Sequence, residues 1–233
     1  MRRYGRSFPM IRSLLTLLAG CWVVLSPCCA RADAIEKVNA DGVALTFDAC
    51  ETRTASRFDE KILSYLIEQK IPFTVFMTGR FANRNRKRLQ EISRLPFVEI
   101  ENHSFNHRQH MERLTADEIR KEAQDLDELM MEMIGRKTKF FRFPAGNYDR
   151  KTLRAIEDLH YKVVSWTYPS GDPDKSVTPS RLTDWTLSKT RTGDILIFHI
   201  NGRGYGTGEA LPSIIRNLQG KGLKFIKLED GNI

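Results

Sequence analysis

Two histidines four residues apart, His103 and His107 in His103-Ser104-Phe105-Asn106-His107, point most directly to chemistry. On a helical turn, positions i and i+4 share a face, so both imidazoles could reach one metal ion. Alone the spacing is a weak signal, because a chain with five histidines will sometimes place two this way. His110 is a third ligand or, on the blander reading, a surface histidine.

Other reactive side chains lie far apart in sequence. Asp48 follows an apolar run, where a merely solvated carboxylate has little reason to sit. It is a candidate general base for a nucleophilic water, or a loop-capping aspartate. His199, between Phe198 and Ile200, would protonate a leaving amine near neutrality, or is a buried structural histidine. Arg142 and Asp172 would pair to orient the base, or simply tie strand ends together. Trp166 and Tyr148 are candidate walls for a sugar ring, although such aromatics more often belong to a core. Cys50 and Glu51, beside Asp48, are within reach of the same metal, and Cys50 reads equally well as a small buried residue.

The elements that would position these groups alternate steadily. Val43–Phe47, Phe73–Met77, Phe97–Ile100, Phe140–Phe143, Val163–Trp166, Ile195–Ile200 and Phe225–Leu228 are short, apolar and strand-like. Helical patterns separate them at Asp59–Gln69, Ala116–Ile134, Arg150–Leu159, Pro179–Thr190 and Leu211–Leu218. In the longest, Ile119, Ala123, Leu126, Met130 and Met133 form one face, Thr115 and Glu118 give a capping box, and Gly135 ends the helix. This rhythm predicts an α/β domain with a parallel sheet, open or closed into a barrel. In such folds function collects at the carboxyl ends of the strands. Asp48, the histidine pair, Arg142, Asp172 and His199 fall after five different strands, all at that edge.

Composition sets the frame. The 233 residues are 41% hydrophobic and 28% charged, without repeat or low-complexity tract, which suits one globular domain. Residues 1–34 read as a secretory signal: Arg2, Arg3 and Arg6, an apolar run from Ser13 to Leu25, then small residues around Ala30–Ala34. That run is short for a bilayer span, so the expected product is an exported, periplasmic or secreted chain over residues 35–233, with no span after cleavage. The signal holds Cys21, Cys28 and Cys29, leaving Cys50 alone and excluding an internal disulfide. Removing its five Arg and one Asp lowers the net charge from +8 to +4, which does not imply nucleic acid. The basic stretch from Arg80 to Arg94 reads as a solvated helix face.

In this order, the motifs resemble the polysaccharide deacetylases of carbohydrate esterase family four, the NodB-homology domain. They are Thr46-Phe47-Asp48-Ala49-Cys50, Asn102-His103-Ser104-Phe105-Asn106-His107, Arg142-Phe143-Pro144-Ala145-Gly146, Trp166 to Asp172, and Ile197-Phe198-His199. The resemblance implies a distorted (β/α) barrel of about seven parallel strands and a divalent metal, usually Zn2+, on His103 and His107. It also implies Asp48 as base, His199 as acid, Arg142 orienting the base with Asp172 as its partner, and an oxyanion donor at the Ala145 N–H. Metal-activated water would then deacetylate an N-acetylated sugar of a polysaccharide such as peptidoglycan or chitin-like oligomers. The sequence departs from the family where a second aspartate, the third metal ligand, gives way to Ala49, and where a glycine gives way to Glu101. Two other readings are a non-catalytic carbohydrate-binding relative and a metal-independent amide hydrolase of the same superfamily. Retention of base, acid and both histidines weighs against the first, and the export signal against the second.

Overall fold

The computed structural model describes Met1 and residues 33–51 and 53–233. The signal expected over residues 1–34 therefore lies almost wholly outside the described residues. Among those described, no helix is long and apolar enough to cross a membrane.

Seven parallel strands form one sheet: β1 (Val43–Ala49), β2 (Phe73–Met77), β3 (Val98–Asn102), β4 (Phe140–Phe141), β5 (Lys162–Val163), β6 (Ile195–His199) and β7 (Phe225–Ile226). Their order is β5-β4-β3-β2-β1-β6, with β7 paired to the start of β1. The two outer edges are joined by isolated bridges, Ile35 to Val164 on one side, Lys37 to Asp194 and Tyr168 to Leu196 on the other. The sheet is thus a curled, incompletely laddered barrel, as the resemblance implied. Each of the seven strand-like runs becomes a strand, but three are cut to two residues. In β4 the chain leaves the ladder after Arg142, whose N–H still donates to Asn102 O, because Pro144 has no N–H to continue it. Beyond β5, Val164 and Ser165 pair with the segment at Ile35 instead, so Trp166 lies past the strand.

Strand alternation divides the core. Val43, Leu45, Phe47 and Ala49 of β1 face the outer helices in the main cluster, with Leu63, Leu66, Phe81 and Ile214. Ala44 faces the barrel interior with Phe76, Phe140, Val164 and Ile195. Glu99 and Glu101 are buried on β3, where burial raises both carboxyl pKa values. Glu101, at the family's glycine position, accepts from the Lys139 and Phe140 N–H groups at 2.7 Å each and so sets the start of β4.

The covering helices are α1 (Glu60–Glu68), α2 (Gly79–Arg84), α3 (Arg86–Ile92), α4 (Ala116–Ile134), α5 (Arg150–Glu157), α6 (Pro179–Lys189) and α7 (Thr207–Gly220). In α4 the Thr115/Glu118 capping box and the left-handed Gly135 cap are present, and all five residues of the apolar face are buried. The last helix begins a turn before the expected Leu211, at Thr207, and carries Pro212 inside it. The basic Arg80–Arg94 stretch is two short helices meeting at Asn85.

Candidate active site

Asp48 and His199 are register partners on the adjacent strands β1 and β6. His103 follows β3, and its N–H donates to Met77 O at the end of β2. Arg142 follows β4. These side chains converge because each strand ends at the same rim.

Arg142 has no solvent exposure and donates through a terminal guanidinium nitrogen to Asp48 Oδ1 at 2.9 Å. A second nitrogen donates to Ser165 O at 2.9 Å, and the guanidinium lies 4.0 Å from the Phe76 ring centroid. Burial pushes the Asp48 carboxyl pKa up, but His103, Arg142 and His199 together outweigh it and hold the pKa below its usual value.

His103 Nδ1 lies 2.8 Å from Arg142 O, a contact that requires Nδ1 to carry the proton and leaves Nε2 as the free lone pair. That Nε2 is 3.5 Å from Asp48 Oδ2. The His103 and His107 rings stand 5.0 Å apart. His103 Nε2 and His107 Nδ1 are both buried without a hydrogen-bond partner. Burial, first, lowers both pKa values, and for His107, with His103 adding to the effect, the value falls to about 3. Two buried imidazole nitrogens without partners are costly unless something binds there. Cys50 is buried beside them, and its sulfur and one nitrogen of each imidazole lie within 4.8 Å of one another. The residues present therefore fit a divalent metal.

The histidine pair does not use the expected helical turn. Residues 103–108 form an irregular loop in which Ser104 (φ 66°) and His107 (φ 54°) are left-handed. Side chains fix this unusual backbone. Glu122 of α4 accepts from the Phe105 and Asn106 N–H groups at 3.1 and 2.7 Å and from Asn106 Nδ2 at 2.9 Å. Asn102 Oδ1 accepts from Ser104 N–H, and Ser104 Oγ accepts from His107 N–H. Glu122 and Asn102 are positioning residues that the sequence reading did not single out. Asn102 stood inside the motif, but Glu122 is brought in only by tertiary packing.

Asp172 does not pair with Arg142. It is fully buried and holds His199: Oδ1 lies 2.9 Å from His199 Nδ1, and Oδ2 accepts from His199 N–H at 2.7 Å. Ser170 Oγ and Thr207 Oγ donate to its remaining lone pairs. The arrangement turns His199 Nε2 away from Asp172. Burial lowers the His199 pKa, but Asp172, with a smaller contribution from Asp48, raises it above its ordinary value. Only glycine fits at position 204, where a Cβ would lie 2.4 Å from His199 O and 2.9 Å from Asp172 Oδ2.

Asp48, His103, His107, His199, Ala145 and Trp166 line one cleft of about 290 Å³. Ala145 (φ 57°) and Gly146 (φ 69°) form a tight left-handed turn, and a Cβ at Gly146 would come 2.6 Å from the Trp166 ring. Tyr148 is elsewhere: it stacks on Phe143 at 5.5 Å and packs in the cluster beneath α4 and α5. Glu51 is also directed away, its two oxygens held by Arg84 at 2.6 and 2.9 Å. His110 pairs with Glu112 at the surface. A wider cleft of about 1050 Å³ opens beside the first, and both are lined by Cys50, His107 and Arg203. Among the described residues, its walls carry Arg53, Arg80, Arg108 and Arg203 and no acidic residue.

Fold and rim together define a (β/α)-barrel protein with an Arg142-paired Asp48, an Asp172-held His199 and a histidine pair at the strand ends. The chain belongs to the polysaccharide deacetylase family, whose sequence profile matches residues 36–164. It is 27% identical over 190 residues to the uncharacterized protein YlxY of Bacillus subtilis (strain 168), covering 82% of this chain and 57% of that protein. It is 25% identical over 192 residues to a bifunctional xylanase/deacetylase of Pseudobutyrivibrio xylanivorans, covering 81% of this chain and 30% of that protein. The chain thus spans little more than half of one curated relative and under a third of the other. Among solved structures, the Bc1960 peptidoglycan N-acetylglucosamine deacetylase superposes with a TM-score of 0.77 at 25% identity, covering 85% of this chain and 91% of that one. BA3943 of Bacillus anthracis, a CE4 family pseudoenzyme, superposes with a TM-score of 0.75 at 24% identity, covering 87% and 69%.

Proposed function

We propose that this chain is an exported, metal-dependent hydrolase that removes acetyl groups from N-acetylated sugars of a polysaccharide. The observation that carries the reading is one cleft lined by a charged Asp48, an Asp172-held His199 and two unpaired histidine nitrogens. His103 and His107 would hold a divalent metal such as zinc, which would supply Lewis-acid polarisation of the acetyl carbonyl and of the attacking water. Asp48 takes the proton from that water, its charge kept available by Arg142. His199 delivers a proton from Nε2 to the departing sugar nitrogen, with Asp172 stabilising the imidazolium. The Ala145 N–H is the candidate donor to the carbonyl oxygen as it gains charge, and Trp166 packs against the sugar. The arginine-walled outer cleft favours glycans that carry carboxylates near the acetylated sugar, as peptidoglycan does, over neutral chitin-like chains.

Ala49 and the likeness to a pseudoenzyme favour a second reading, a carbohydrate binder without catalysis. Acetate release from peptidoglycan fragments and from acetylated chito-oligosaccharides separates the two. Release from either, with peptidoglycan preferred, supports the hydrolase. Glycan binding without release across both substrates supports the binder.

A further inference from the structure

We infer that Cys50 supplies the third protein ligand to the metal, as a thiolate, in place of the carboxylate missing at Ala49. The inference rests on the metal-dependent reading of this cleft and deepens it. It starts from strand alternation. Ala49 continues the row Val43, Leu45, Phe47 and packs with them in the main cluster, and its methyl offers no ligand atom. Asp48 and Cys50 fall on the other side, and both line the cleft with His103 and His107. Glu51, the competing ligand, is engaged at both oxygens by Arg84.

Three further observations converge. Cys50 Sγ and the two imidazole nitrogens lie within 4.8 Å of one another, and ligands of a tetrahedral zinc, at about 2.0–2.3 Å from the ion, require only a modest contraction of that triangle. His103 Nε2 and His107 Nδ1 are buried without hydrogen-bond partners, and His103 Nδ1 is committed to Arg142 O, so Nε2 is the His103 nitrogen open to a metal. The Cys50 backbone is pinned, its carbonyl accepting from Ser56 Oγ at 2.8 Å and from Asn201 Nδ2 at 2.6 Å, which holds the side chain at the rim. On coordination the thiol proton leaves to solvent and the sulfur lone pair makes the metal bond. A Cys-His-His set leaves the fourth tetrahedral position open to substrate or water, and it leaves Asp48 free as base. Thiolate also biases the site toward zinc or cobalt and away from magnesium and calcium.

The test is cobalt(II) spectroscopy on the full chain with Cys21, Cys28 and Cys29 replaced by Ser, so that Cys50 is its one thiol. The expected result is a sulfur-to-cobalt charge-transfer band in the near ultraviolet. Cys50→Ser should abolish that band and weaken zinc binding by at least the roughly 10- to 100-fold seen for loss of outer-shell partners. Cys50→Asp should recover zinc binding without the band, and circular dichroism checks that each variant is folded. Cobalt bound at His103 and His107 without the band, or zinc affinity unchanged in Cys50→Ser, would overturn the thiolate ligand. Acetate release by the same samples then decides separately whether the deacetylase reading stands.

Discussion

Arg142 lies wholly within the protein and spends its charge on Asp48, 2.9 Å away, while the barrel closes around both. A buried ion pair of this kind contributes little net stability, yet breaking it strands a charge. Arg142→Met is therefore expected to destabilise the fold by about 3–5 kcal/mol, read by chemical denaturation. The Arg142→Met/Asp48→Asn double variant should recover part of that loss. A double variant no more stable than the single one would mean that Arg142 acts through Ser165 O and Phe76 rather than through Asp48.

Asp48→Asn keeps the size of the side chain and removes the base. Its kcat for acetate release should fall about 10²–10⁴-fold, the usual worth of a positioned general base, with KM little changed. A matching rise in KM would place Asp48 in substrate binding instead.

Much of this site was legible in the sequence, and the reasons are local. β1, β3 and β6 are buried strands whose ends carry the chemistry, and the Thr115/Glu118 box fixes the start of α4 within three residues of chain. The i, i+4 spacing singles out two histidines whose rings do meet, but not on a helical turn, because Glu122 and Asn102 build a loop there that no short-range pattern announces. Asp172 was found, but its partner was not: a loop aspartate can reach either Arg142 or His199, and only the folded loop, packed against Gly204, decides. The choice between Cys50 and Glu51 was available in principle. With Val43, Leu45 and Phe47 as the core row, period two puts Asp48 and Cys50 on one side and Glu51 off it.

Asp172 raises the His199 pKa, so this imidazole, the proposed acid, stays protonated to higher pH than a free one. Activity should fall as pH rises through that value, and Asp172→Asn should move the alkaline limb of the kcat profile to lower pH. Stability follows the same sign. A raised folded-state pKa contributes stability that is fully present below the unfolded histidine value, about 6.5, and lost as pH rises through the folded value. The gap in melting temperature between the parent chain and Asp172→Asn should therefore narrow as pH rises. An alkaline limb that does not move would assign the acid role to another group.

Glu122 holds the loop that presents His107 through three donors on two residues. Glu122→Ala leaves those N–H groups without their acceptor, at about 1–3 kcal/mol each if they stay buried. Zinc content after dialysis should drop with it, and Glu122→Gln should restore part of both. Unchanged zinc content in a destabilised Glu122→Ala would show that the loop holds His107 without this contact.

The most direct test of a metal-dependent deacetylase is chelation and restoration. Chain stripped of metal should release no acetate from peptidoglycan fragments, and one equivalent of zinc should restore release in the parent but not in His103→Ala, whose metal content should also fall. Full acetate release from the stripped chain, or from His103→Ala, would contradict the account.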